Sequence, residues 1–139
     1  SVLDLFSGSG QLGIEAISRG ASSATFVVCS RASVDVTREN IKAVGFEPQC
    51  KIVNRDYTAF LSRCTEKFDI VLLDPPYSTG ILQNALDKLP RVLKDTSVVI
   101  CEHPFDEEMP ESTGSLPKYR EYKYGKLAVT VYKRGEIDG

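Results

Sequence analysis

What is scarce in this 139-residue chain narrows its chemistry first. It has one histidine and four cysteines. Cys29, Cys50, Cys64 and Cys101 stand far apart, so no Cys-x-x-Cys zinc or redox pair exists. They read as reduced thiols, some buried as small hydrophobes, which fits a reducing compartment and a cytoplasmic protein. No metal-ligand spacing occurs, so no metal is expected. No apolar run approaches the ~18 residues of a membrane span. Positive charge is not in excess: the net charge is −2, which argues against a uniformly basic nucleic-acid binder and leaves room for a local patch. Repeats and low-complexity tracts are absent, as is anything resembling a signal peptide. There is no initiator methionine, and Ser1 runs straight into a hydrophobic strand. From this we expect an N-terminal segment to be missing, and any targeting peptide with it.

What remains is ordinary globular material. Hydrophobic content of 42% and charged content of 26% suit one domain spanning residues 1–139. Val2–Phe6 is too short for a helix and reads as a buried strand. Gly8 and Gly10 allow a tight turn. Leu12, Ile14, Ala16 and Ile17 then line one side of a helix that stops at Gly20. Ala24–Cys29 is a second strand, and Ser30 caps a helix whose inner face carries Val34, Thr37, Ile41 and Val44. Cys50–Val53 is a third strand, ended by Asn54-Arg55-Asp56, and Tyr57–Cys64 a short helix. Phe68–Leu73, apolar on every residue after Asp69, suits a central parallel strand. A helix follows over Ile81–Leu93, interrupted near Pro90, and then a fifth strand over Thr96–Cys101. Residues 105–117 read as loop. Tyr119–Tyr124 and Leu127–Tyr132 form a hairpin around Gly125-Lys126. The pattern predicts an α/β fold: a Rossmann-like, doubly wound, mostly parallel sheet with a C-terminal antiparallel hairpin. Ligands of such sheets sit at the carboxyl ends of the strands, where Gly8–Gly13, Ser30, Asp56 and Asp74–Tyr77 all fall.

Gly8-x-Gly10-x-x-Gly13 matches a dinucleotide fingerprint between a strand and a helix. Backbone N–H groups at such a turn can meet a carboxylate or phosphate. The usual acid at the end of the second strand is missing; Val27-Val28-Cys29-Ser30-Arg31 stands there instead, and Ser-Arg suits a ribose 2′-phosphate. An NADP-binding reductase domain is therefore a rival reading. Asp4 separates the two, because an acid four residues ahead of Gly8 suits a cationic amine. An acid bonded to loop amides is the plain alternative.

Asp74-Pro75-Pro76-Tyr77 is more specific. Two prolines lock φ and remove two donors, so the Asp74 and Pro75 carbonyls can face outward. Asp74 adds an acceptor, and Tyr77 a flat ring on which a base stacks, worth roughly 1–3 kcal/mol. The set suits an exocyclic amine whose two N–H groups donate to a carboxylate and a carbonyl.

With both motifs in place the chain resembles the Asp-Pro-Pro-Tyr class of S-adenosylmethionine-dependent amino methyltransferases. It is most similar to the bacterial small-subunit ribosomal RNA methyltransferase D family. The carrying residues are Leu3–Ala21, Arg38-Glu39-Asn40, Leu73–Tyr77 and the hairpin Tyr122–Tyr132. The resemblance implies a catalytic domain that methylates the exocyclic N2 amine of a guanine in 16S rRNA, free or in the assembling small ribosomal subunit. It implies that Asp4, Phe6, Gly8, Gly10, Ser30, Asp56 and Tyr57 hold S-adenosylmethionine, with Asp56 on the adenine amine. It implies that Asp74 and the Pro75 carbonyl orient the target amine while Tyr77 stacks on the base. Two departures stand out: the family carries an acid where this chain has Val28, and it has a basic segment ahead of the first strand. A methyltransferase acting on DNA adenine or on a small amine also fits the turn. So does a non-catalytic, RNA-associated domain that has lost its cofactor. His103, at a strand end, reads as a loop histidine before Pro104, with acceptance of the product proton as the alternative.

Overall fold

The computed structural model describes residues 1–76 and 80–135. Among these, eight strands form one sheet in the order β3-β2-β1-β4-β5-β8-β7-β6. The chain runs β1 (Val2–Asp4), α1 (Gln11–Ser18), β2 (Ala24–Val28), α2 (Arg31–Ala43), β3 (Cys50–Asn54), α3 (Tyr57–Arg63), β4 (Phe68–Leu73) and α4 (Ile81–Lys88). A 3-10 turn at Leu89–Val92 leads into β5 (Leu93–Pro104), then β6 (Ser112–Thr113), β7 (Leu116–Tyr124) and β8 (Leu127–Tyr132). Strands β3, β2, β1, β4 and β5 pair in parallel, and β8 pairs antiparallel with both β5 and β7. The order reverses between β1 and β4, which is where such sheets open a crevice at their carboxyl ends.

The apolar strands are covered on both faces. On one, Leu3, Val71, Leu73, Val99 and Tyr132 pack with Phe60 and Leu61 of α3, Leu86 of α4 and the 3-10 turn. On the other, Val2, Ala24 and Phe26 pack with Ile17 of α1 and Ile41 of α2. No helix among the described residues is long and apolar enough to cross a membrane.

Four local expectations need correction. Helix α1 faces the sheet through Gly13 and Ile17, while Leu12 is 46% exposed, because α1 lies against the Phe26 ring with no room for a side chain at position 13. On α2 the inner stripe is Val34, Thr37 and Ile41; the helix ends at Ala43, which leaves Val44 outside. The 105–117 segment is not all loop. Ser112–Thr113 pairs with Leu116–Pro117, Met109 is buried, and the Thr113 hydroxyl donates to Leu86 O at 2.8 Å. Strand β5 runs on to Pro104 because β8 pairs with it as far as Pro104↔Leu127. His103 therefore lies inside a strand, fully buried, with Nε2 2.7 Å from Thr130 Oγ1 and Nδ1 2.8 Å from Pro104 O.

Candidate functional site

A cavity of about 530 Å³ opens at the switch point between β1 and β4, within the usual size for a cofactor site. Its apolar wall includes Leu5, Phe6, Val27, Val28, Tyr57 and Ile81, and its polar groups come from Ser7, Cys29, Ser33, Arg55, Asp56 and Asp74. Pro75 and Pro76 close one side. The Phe6 and Tyr57 rings meet at 5.2 Å and 53°, and Asn84 of α4 donates to the Tyr57 hydroxyl at 2.7 Å. The segments that follow β1 and β3 thus share an aromatic corner whose ring positions are set by packing and one hydrogen bond.

The three glycines of the turn differ in what demands them. Gly10 is the N-cap of α1 at φ +84, a conformation that disfavours any side chain. A Cβ on Gly13 would sit 2.4 Å from Phe26, so this glycine lets α1 lie against β2. A Cβ on Gly8 would meet nothing within 4 Å. Packing inside the protein therefore accounts for Gly10 and Gly13 but not for Gly8. The turn's carbonyls are anchored by α2: Asn40 donates to Ser9 O at 2.7 Å, and Thr37 approaches Gly8 O at 3.5 Å.

Asp4 ends β1 beneath this turn and is 3% exposed. Burial pushes its carboxyl up to about 6; the donated Gly13 N–H opposes that, and the charge of Asp74 adds to it. The Ser7 hydroxyl exerts a smaller lowering pull from outside hydrogen-bonding geometry. That hydroxyl is itself buried, lines the cavity and has no hydrogen-bond partner among the described residues. A buried hydroxyl left this way costs stability unless a ligand satisfies it.

Not every residue singled out from the sequence reaches the cavity. Phe6, Asp56, Tyr57, Asp74 and Pro75 line it; Asp4, Gly8, Gly10 and Ser30 do not. Ser30 caps α2, accepting from Ser33 N–H at 3.1 Å, and its hydroxyl donates to Ser33 Oγ at 2.9 Å. Ser33, one turn further on, stands in the wall instead. Asp56 caps α3: its carboxylate accepts from the Thr58 N–H at 3.0 Å and from the Thr58 hydroxyl, and these bonds hold it below the usual carboxylate range. At the acidic turn Asp74 and Pro76 are exposed while Pro75 is buried. Tyr77 lies outside the described residues. His103 is not in the cavity wall.

Ser7, Cys29, Ser33 and Arg55 were not picked out from the sequence. Ser7 carried one usable signal, its place inside the turn. Cys29 and Arg55 follow the ends of β2 and β3, and the parallel pairing of these strands, Val28 with Asn54, brings them to the same cavity. Among the described residues no group of acids, histidines and cysteines could hold a metal.

A parallel sheet reversing between β1 and β4, a glycine turn on one side of that point, an Asp-Pro-Pro turn on the other and an antiparallel hairpin after β5 define a class I methyltransferase fold. Solved structures agree. A conserved hypothetical protein from Streptococcus pyogenes superposes with a TM-score of 0.90 at 32% identity, over 99% of this chain and 88% of its own. The ribosomal protein L11 methylase of Lactobacillus delbrueckii shares the fold, with a TM-score of 0.82 at 22% identity, over 96% of this chain and 68% of its own. The chain belongs to the family described as "Conserved hypothetical protein 95", whose model matches residues 1–133. It is similar to the ribosomal RNA small subunit methyltransferase D of Escherichia coli K12, 30% identical over 98% of this chain and 71% of the relative.

Proposed function

We propose that this chain is an S-adenosylmethionine-dependent methyltransferase that acts on ribosomal RNA, with the exocyclic N2 amine of a guanine in the small subunit as its target. The observation that carries the reading is one cavity lined both by Phe6 and Ser7, just ahead of the glycines, and by Asp74, Pro75 and Pro76 after β4. The name of the Escherichia coli relative supports the choice of ribosomal RNA. The residues present fit the cofactor. Asp4 suits its ammonium, the orphaned Ser7 hydroxyl accepts or donates a bond to its polar part, and the Phe6–Tyr57 corner suits a purine face. Asp56 keeps lone pairs for an amine beyond those that cap α3.

When bound, the cofactor supplies an electrophilic methyl group on a sulfonium. The chain's own task is alignment. Asp74 and the Pro75 carbonyl accept hydrogen bonds from the two N–H groups of the target amine and so return electron density to its nitrogen; no strong base is required before transfer, and the one surplus proton leaves the methylated nitrogen to solvent afterwards. The base reaches them from an unstacked position, because a base inside a duplex has its amine in the stack and out of reach of a cavity wall. Mass spectrometry of 16S rRNA nucleosides from a strain lacking the gene tests the substrate: loss of one N2-methylguanine is expected, and an unchanged level overturns it.

Val28 favours one other reading. It stands buried at the carboxyl end of β2 and lines the cavity where a ribose-binding acid is expected. A non-catalytic, RNA-associated domain would tolerate that loss. Calorimetry with S-adenosylmethionine separates the two, since only the enzyme binds it.

A further inference from the structure

The chain is mildly acidic, yet its charge is unevenly spread. Residues 116–134 hold six of its 17 lysines and arginines and one of its 19 acids, so this segment is net +5 against −2 for the whole. Lys118 and Arg134 are drawn to Glu111 at 3.7 Å and Asp95 at 3.4 Å. Arg120 lies over Tyr119 and Tyr122, at 5.3 and 5.9 Å from the ring centroids, and Lys133 over Tyr119 at 4.3 Å. Lys123 and Lys126 are exposed at the hairpin tip.

Exposed aromatic rings gather in the same place. Among the described residues these are Tyr122, 49% exposed, Tyr124, 50%, and Phe105, 48%. The Phe105 N–H donates to Lys126 O at the tip. Register ties this surface to the candidate site. Leu73 of β4 pairs with Cys101 of β5, so Asp74 leaves the sheet alongside Glu102. Glu102 faces Val129 of β8, and Val129 faces Tyr122 of β7. Residues directly opposite share a face, so Asp74, Glu102, Val129 and Tyr122 step across the sheet over about 14 Å, three strand spacings. Tyr124, two residues along, donates to Glu102 at 3.2 Å. Slight desolvation, the Glu102 bond and charge, and last the charge of Asp74 push the Tyr124 hydroxyl above its ordinary range.

We infer that the Arg120–Tyr122–Tyr124 row of β7 is a stacking platform for single-stranded RNA flanking the target base. The inference rests on the function proposed above and deepens it. Exposed rings on a cationic strand can hold successive bases by stacking without reading their sequence, and arginine neutralises the backbone. A duplex cannot offer its base faces to such a row, so the surface selects unpaired nucleotides next to Asp74.

Fluorescence anisotropy with a short single-stranded RNA, and with its duplex, tests this on the full chain. Tyr122→Ala and Tyr124→Ala are each expected to weaken single-strand binding about tenfold, and Tyr122→Phe to stay within about twofold, because stacking needs the ring and not the hydroxyl. Arg120→Ala is expected to reduce the salt slope by about one. Cofactor affinity, measured by calorimetry on the same variants, is expected not to change. Equal binding by the Tyr122→Ala/Tyr124→Ala double variant and the parent overturns the platform, as does equal loss with Tyr122→Phe or equal loss for duplex. Cofactor binding with no RNA binding by the parent also overturns it. Failure of the parent to bind cofactor strikes the proposed enzyme instead.

Discussion

The two turns that meet at the cavity are made rigid in opposite ways. After β1 the chain is held by packing: Gly13 lets α1 lie on Phe26, Asn40 grips the Ser9 carbonyl, and Asp4 sits buried beneath. After β4 it is held by covalent constraint, since two prolines restrict the backbone while Asp74 stays exposed. The same carboxyl group therefore acquires two characters. Asp4 is costly to ionise and suits a cation that arrives to neutralise it. Asp74 is solvated and suits the transient contacts of a substrate. The exposed acid also bears on the buried one, since the charge of Asp74 adds to the upward shift at Asp4.

The largest expected effect breaks the exposed turn. Asp74→Asn is expected to lower methyl transfer by roughly 10²–10⁴-fold, the range for a positioned group that handles a proton, with cofactor affinity nearly unchanged. Single-turnover assays check this, and a rate within tenfold of the parent would remove Asp74 from the chemistry. Next come the glycines of the packed turn. Gly13→Ala forces a clash with Phe26 and is expected to cost roughly 1–3 kcal/mol by urea denaturation. Gly8→Ala has room and is expected to stay within about 0.5 kcal/mol, yet to weaken S-adenosylmethionine binding at least about tenfold. Similar behaviour of the two variants would erase the division between a packing glycine and a ligand glycine.

Asp4→Asn sharpens the contrast between the acids. With a folded-state value near 6 against 3.8, the parent protein holds an extra proton between those values. Its stability contribution is greatest below about pH 4 and is lost as pH rises to about 6. The asparagine variant is expected to escape this loss and to be more stable at pH 7 by about 1–3 kcal/mol, while binding the cofactor more weakly. Denaturation at pH 4 and pH 7 should show the difference between variant and parent only at the higher pH. By the same sign, cofactor affinity of the parent is expected to rise as Asp4 ionises through about pH 6. The smallest effect concerns the rim. Asp56→Ala removes the cap of α3 and is expected to cost about 1 kcal/mol, read from the melting temperature.

The succession of the first five strands and four helices, the terminal hairpin and the chemical identity of both turns were legible in residue order, because each rests on local patterns; the switch point between β1 and β4 appears only in the strand pairing. Continuous apolar runs mark buried parallel strands, glycines and prolines mark turns, and Ser30 and Asp56 stand where helices need caps. Local signals could not say how those residues are used. Ser30 and Asp56 have the same chemistry whether they hold a ligand or a helix end, and only the packed rim shows that capping engages both while Asp56 also faces the cavity. Gly8, Gly10 and Gly13 are identical letters; their neighbours in space separate them. His103 reads as a rim residue until β8 extends β5 and buries it. The cationic aromatic row on β7 stays hidden in a net charge of −2, since its alignment with Asp74 depends on strand register across residues about fifty apart in the chain. Burial, register and proximity are properties of the folded whole, and they decide which of several chemically similar residues meets a ligand.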